Sequence, residues 1–188
     1  MKRILFLSLV TYLFSNGLFA QQSFEVDLEN SSVQWFAQKV GGKHDGLVDI
    51  RQASITLNDE GEVSSANIVI DMQSISVEDL SGGAKDALTK HLKDADFFNT
   101  EEHPMASFVV SKESDKPGVA SGILTIKNVS KEYTLNYTRS DNQLQGTLIV
   151  DRTDFDIMYK SKSVLDAKAV ADGFIYDEFK ITFTLEQK

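Results

Sequence analysis

The 188-residue sequence predicts an all-β, antiparallel fold of about eight strands with one short helix inserted. Three observations carry this. Short period-2 runs recur along most of the chain at hairpin-like spacing, as half-buried strands require. Only one clear stretch, Ala84 to Leu92, has a helical period, whereas a parallel α/β fold would need a helix between most consecutive strands. Both prolines, Pro104 and Pro117, fall outside strand interiors, where a missing N–H would cost a ladder bond.

Taken in order, Val33, Trp35 and Ala37 share one parity against Gln34 and Gln38. Val48 and Ile50, then Ile55 and Leu57, form two further runs, with a bend or bulge expected near Gln52 and Ala53. Asn58-Asp59-Glu60-Gly61 reads as a turn, and Ile68, Ile70 and Met72 as the next strand. After Ser81-Gly82-Gly83, with Ser81 the nearest cap, Ala84, Ala87, Leu88, His91 and Leu92 make one face of a helix about three turns long. Strands resume at Phe108 and Val110, then Leu124 and Ile126, then Tyr133, Leu135 and Tyr137. Lys127 to Lys131 marks a hairpin, and Ser140-Asp141-Asn142 turns into Leu144, Gly146, Leu148 and Val150. An irregular excursion is expected from Tyr159 to Ala171, before Phe179, Ile181, Phe183 and Leu185 close the chain.

Alternation alone does not separate a barrel from a sandwich. The many large inward candidates, Trp35, Phe108, Tyr133, Tyr137, Phe179 and Phe183 among them, favour a barrel, which at eight strands is wide enough for one small or elongated ligand. Phe97 and Phe98 stand apart from the strands. They lie beside Asp94, Asp96 and Asn99, so a polar loop carries two rings that must plug a core or line a pocket.

Residues 1–20 read as a secretory signal peptide: Lys2 and Arg3, an apolar run from Ile4 to Leu13, then Asn16, Gly17 and Ala20, with cleavage expected after Ala20. The apolar run is shorter than the roughly 18 residues of a membrane-spanning helix. Residues 21–188 are then a single domain in the periplasm or outside the cell. Without Lys2 and Arg3 the nineteen basic residues become seventeen against twenty-eight acids, a formal charge of -11. Such a balance argues against nucleic acid as a partner, and suits a soluble protein better than one inserted in or resident on anionic membrane. The absence of cysteine removes disulfides, thiolate nucleophiles and thiolate metal sites together.

No catalytic constellation emerges. His44, His91 and His103 have no spacing that brings two onto one metal. Asp94-x-Asp96-x-x-Asn99-x-Glu101 fails as a calcium loop, because Phe98 holds a ligand position and Asn99 replaces the turn glycine. Asp151, Asp154 and Asp156 read as solvated carboxylates, and no nucleophile elbow or phosphate-cradling loop is present. His103-Pro104 could form a cis bond in a tight turn.

Several strings together resemble the YceI-like family: Val33-Gln34-Trp35, Gly42-Lys43-His44-Asp45-Gly46, His91-Leu92-Lys93, Asp96-Phe97-Phe98, His103-Pro104, Gly122 to Lys127, Asp151-Arg152-Thr153-Asp154-Phe155 and Tyr176-Asp177-Glu178-Phe179. They run in order over nearly the whole mature chain. The resemblance implies an extended, lipocalin-like eight-stranded antiparallel barrel with its helix near the mouth, holding a polyisoprenoid, an isoprenoid quinone or a similar lipid. Asn128 and Asp156 depart from the family pattern where glycine is frequent, which bears on local turns.

On this reading the apolar channel is lined by Val33, Trp35, Ile68, Ile70, Phe97, Phe98, Phe108, Leu124, Tyr133, Leu135, Leu148, Phe179, Ile181 and Phe183, with His91 and Arg152 as head-group or mouth candidates. For Arg152 an intramolecular salt bridge with Asp151 or Asp154 is expected ahead of the head-group role. No metal or cofactor is called for beyond the bound lipid, and a homodimer is an open option. Burying a twenty-carbon tail would supply on the order of 10 kcal/mol, at about 0.8 kcal/mol per CH₂, before ordering costs. Phe97, Phe98 and the helix would then form a gate. Two rival readings remain at this stage: a structural or stress-associated envelope protein with a filled core, and an enzyme acting on a lipid head group.

Overall fold

The computed structural model describes residues 22–164 and 173–188, so the segment read as a signal peptide and the last part of the Tyr159 to Ala171 excursion lie outside the described residues. The alternating runs become β1 (Gln22–Phe24), β2 (Val26–Lys39), β3 (Gly42–Leu57), β4 (Val63–Asp71), β5 (Met105–Val110), β6 (Val119–Ile126), β7 (Val129–Arg139), β8 (Gln143–Asp151) and β9 (Ile175–Gln187), with α1 (Gly82–Lys93) between β4 and β5. Neighbours run β3-β2-β9-β8-β7-β6-β5-β4, and β4 pairs back onto β3. All of these pairings are antiparallel, so eight strands close into a barrel. The short β1 pairs with the distal end of β3, continuing the line of β2 past Glu25.

The two runs expected around Gln52 are one long strand, β3, whose register against β4 slips between Ile50 and Gln52. A bulge of this kind bends a strand without ending it. Lys127 and Asn128 take φ of 50° and 62° in the two-residue β6–β7 hairpin, and Asp156 takes 56°. Both departures from the family's glycines thus occupy left-handed backbone, which Asn and Asp tolerate better than most side chains. No cis peptide occurs among the described residues, so His103-Pro104 is trans.

The ladder between β7 and β8 is short. Paired positions run only from Arg139 and Leu144 to Asn136 and Thr147. Beyond them, toward the α1 end, the two strands are joined by Tyr133, whose hydroxyl accepts the Asp151 N–H at 3.1 Å and donates to Asp154 Oδ2 at 2.8 Å.

The far end of the barrel is closed by strand residues. Phe24 and Leu57 are each 1% exposed, with Val26, Leu144 and Leu185 packed around them. There the Tyr137 hydroxyl donates to Glu62 Oε2 at 2.6 Å and accepts the Val63 N–H at 2.9 Å. At the mouth, closure falls to α1 and to two 3-10 turns, Met72–Ser74 and Arg152–Phe155. The helix packs by its C-terminal half: Leu92 is buried, Leu88 and His91 are half-buried, and Ala84 and Ala87 are exposed. The expected apolar face is therefore shorter than its periodicity, because the two alanines contribute helix propensity rather than burial. Ser81 precedes the helix in extended backbone, but its side chain makes no capping bond.

Candidate functional site

Inward parity on eight strands leaves a space rather than a filled core. A cavity of about 200 Å³ lies along the barrel axis, and the lining residues that carry side-chain polar atoms are Trp35, Ser107, Tyr137, Arg152 and Tyr176. All the channel residues expected from the sequence line it except Tyr133. That ring has the inward parity of Leu135 and Tyr137, but it stacks on Phe155, centroids 5.9 Å apart, and its hydroxyl is used at the β7–β8 joint. Burial, and then the hydrogen bond to the Asp154 carboxylate, push the Tyr133 hydroxyl up to about 12, so it stays a neutral structural donor at ordinary pH.

A second chamber of about 370 Å³ adjoins the first at the mouth. Trp35, Ala37, Leu92, Phe97 and Ile175 line both, and the mouth chamber adds Gln38, Lys39, His44, His91, Tyr159 and Lys160. The inner space is thus almost wholly apolar and the outer one mixed, with the polar groups of Gln38, Lys39, His44, His91 and Lys160 set among Val40, Leu88 and Phe174, a division that suits an amphiphile. The inner cavity alone is below the roughly 300–1,000 Å³ of most ligand sites, and the two together fall within that range.

Phe97 stands at the boundary. It packs on His91 at 5.0 Å, Tyr159 at 5.6 Å and Phe98 at 6.3 Å, while Phe98 meets Phe179 edge-on at 6.5 Å. Their loop is pinned by its own backbone: Phe97 N–H donates to Asp94 O, Phe98 N–H to Leu92 O and Thr100 N–H to Lys93 O. Asn99 adopts φ +45°, so it makes the sharp turn that its lack of glycine argued against. No group of three His, Asp or Glu side chains converges on a cation position among the described residues.

Trp35 is fixed from outside the sheet. Its indole Nε1–H donates to Ser76 O at 3.0 Å, where the segment before α1 crosses Gly46 so closely that a Cβ there would lie 1.8 Å from the same oxygen. Glycine at 46 is required by this approach, and the strand alternation gave no reason for it.

The two head-group candidates separate. Arg152 is 4% exposed, and all five of its N–H groups have protein acceptors: Tyr176 O, Ile157 O, Tyr159 O, Ile175 O and Asp177 Oδ1. Its ion-pair partner is Asp177 at 3.1 Å, neither Asp151 nor Asp154. Asp151 instead caps the 3-10 turn through Thr153, and Asp154 takes the Tyr133 hydroxyl. Burial lowers the guanidinium pKa and the Asp177 carboxylate opposes it. With no donor to spare, Arg152 is a clamp on the mouth rather than a receptor for a head group. His91 lines the mouth chamber, edge-on to Tyr159 at 4.5 Å, with its Nδ1 3.7 Å from Asp96. Its Nε2 is buried and has no partner among the described residues.

Ile75 and Ile157, which line the cavity from outside the sheet, were not legible from the sequence. Neither belongs to an alternating run. For Ile157 the one signal was an apolar pair, Ile157-Met158, just before the irregular excursion that begins at Tyr159.

Solved structures share this architecture. The Burkholderia cenocepacia protein BcnA superposes with a TM-score of 0.66 at 19% identity, over 87% of this chain and 100% of that one. An engineered variant of the Campylobacter jejuni YCEI protein gives a TM-score of 0.50 at 19% identity, over 75% of this chain and 84% of that one. At such identity the likeness concerns the fold alone. No curated protein matches the chain at a significant level. Residues 24–187 match the YceI-like domain, the whole barrel from the Phe24 seal to the last residue of β9, and the chain belongs to the YceI-like family of lipid- and polyisoprenoid-binding barrels.

Proposed function

We propose that this protein is an exported, non-catalytic carrier or store for a long amphiphile of the polyisoprenoid or isoprenoid-quinone class. The apolar tail occupies the barrel interior and the head group the mouth chamber. The observation that carries this reading is the apolar inner cavity, which shares lining residues with a mouth chamber where polar side chains are added. Binding is capture by burial: the tail leaves water, and no bond is made or broken. The Nε2 of His91, without a partner among the described residues, is the ring nitrogen left for a head-group oxygen. Export is supported by the Lys2-Arg3 start and the Ile4–Leu13 apolar run, and places the protein in the periplasm or outside the cell.

Mass spectrometry of organic extracts from protein purified without detergent tests the reading. A co-purifying isoprenoid, or stoichiometric uptake of an added one, is expected. Reproducible absence of both would return the molecule to an envelope protein without cargo, and turnover of the lipid abolished by His91→Ala would make it an enzyme. Phe97→Ala/Phe98→Ala is expected to speed release of a bound fluorescent isoprenoid at least several-fold in stopped flow. Unchanged release would remove the gate from the proposal while leaving the cavity.

A further inference from the structure

The wall of the mouth chamber away from α1 is a lip of three chain segments: the β2–β3 tip, residues 158–164 and residues 173–176. They are joined by Val40 N–H to Phe174 O at 2.9 Å and Ile175 N–H to Lys160 O at 3.0 Å, with Ser161 paired to Ile175. This lip exposes Lys39, Lys43, Lys160 and Lys162 together with Val40, Met158 and Val164. Val40 and Val164 are 50% and 57% exposed, a high value for valines in a chain with a closed core.

None of the four lysines has a carboxylate within ion-pair distance among the described residues. Lys160 and Lys162 lie instead over aromatic rings, Tyr159 at 6.0 Å and Phe174 at 5.6 Å. Two carboxylates beside the lip are turned to other tasks. Asp79 accepts from His44 and from the Asp45 N–H, and Asp177 from Arg152 and the Ser163 hydroxyl. Across the mouth, the loop after α1 carries Asp94, Asp96, Glu101 and Glu102. In a protein of formal charge -9 over its full sequence, lysines without an ion-pair partner among the described residues are thus gathered with exposed apolar side chains beside the opening.

We propose that this lip docks the barrel on an anionic bilayer surface, the lysines against lipid phosphates and Val40, Met158 and Val164 entering the interface. Short polybasic segments bind such surfaces, and apolar side chains among them enter the headgroup boundary. The acidic loop on the other side is repelled, so the molecule meets the membrane tilted, lip first. The purpose of the docking rests on the carrier reading, since a tail that leaves a bilayer for the cavity then need not cross water. The docking itself does not.

Flotation of the mature protein with vesicles free of isoprenoid tests the two separately. Binding is expected to vesicles containing phosphatidylglycerol and not to pure phosphatidylcholine, and it should fall steeply with added salt. Lys43→Glu/Lys162→Glu should weaken it about tenfold or more. Neither residue lines either chamber, so uptake of an isoprenoid supplied on cyclodextrin should be unchanged in that variant. No flotation at low salt overturns the docking, as does flotation indifferent to lipid charge and to the double substitution. If cyclodextrin uptake fails in both proteins while flotation persists, the carrier reading falls and the docking stands.

Discussion

The two ends of the barrel use the same device on different material. Tyr137 and Tyr133 lie four residues apart on β7 with the same parity, and each hydroxyl accepts one backbone N–H and donates to one carboxylate. At the far end those partners, Glu62 and Val63, belong to the sheet and its turn, and the closing side chains are Phe24 and Leu57. At the mouth the partners are Asp151 and Asp154, at the start of a 3-10 turn whose position depends on Arg152. One end is the continuation of the β pattern. The other is a separate lid assembled from segments without periodicity, and that is where a ligand can pass without breaking the ladder.

Arg152→Ala should have the largest effect. It strands the Asp177 carboxylate and four carbonyl oxygens, so a loss of about 3–5 kcal/mol is expected in urea unfolding. A loss under about 1 kcal/mol would mean that the mouth turn is held by packing of Phe155 and Ile157 instead.

The paired variants Tyr137→Phe and Tyr133→Phe come next. Tyr137 is buried, so deleting its hydroxyl should cost about 1–3 kcal/mol, whereas Tyr133 faces the exposed Asp154 and should cost about 0.5–1.5 kcal/mol. Equal losses would erase the distinction between a sealed end and an adjustable one.

Acid gives the smallest and most local readout. The Gly118 N–H and then the Tyr137 hydroxyl hold the Glu62 carboxyl below its ordinary 4.5. A lowered folded-state pKa stabilises above 4.5 and is lost as pH falls through the lowered value. Glu62→Gln should therefore lose less stability than the wild type between pH 6 and pH 3, the difference being the contribution of this one carboxylate at the far end.

The same contrast governs what the sequence made legible. Strand parity foretold which side chains turn inward along the cavity wall because a half-buried strand imposes a two-residue period on Val33 and Trp35, or on Phe179, Ile181 and Phe183. It misplaced Tyr133, since parity tells which face a ring takes but not that a ladder ends beside it. Arg152 was misjudged for a related reason. Its neighbours in sequence, Asp151 and Asp154, were the visible partners, whereas Asp177 and the carbonyls of Ile157, Tyr159, Ile175 and Tyr176 come together only through folding. The mouth chamber, with His44 from β3 and His91 from α1, had no linear signature of its own.

The shortened β7–β8 ladder has a mechanical consequence. From Leu148 toward the mouth, β8 has no paired position on β7, and a single phenol stands where several amide–carbonyl links would otherwise repeat. Pressure, or an oversized guest pushing outward, meets less resistance there than at the β2–β3 or β8–β9 joints, whose ladders run seven and nine positions. The cylinder is therefore more compliant on this side than along those longer ladders.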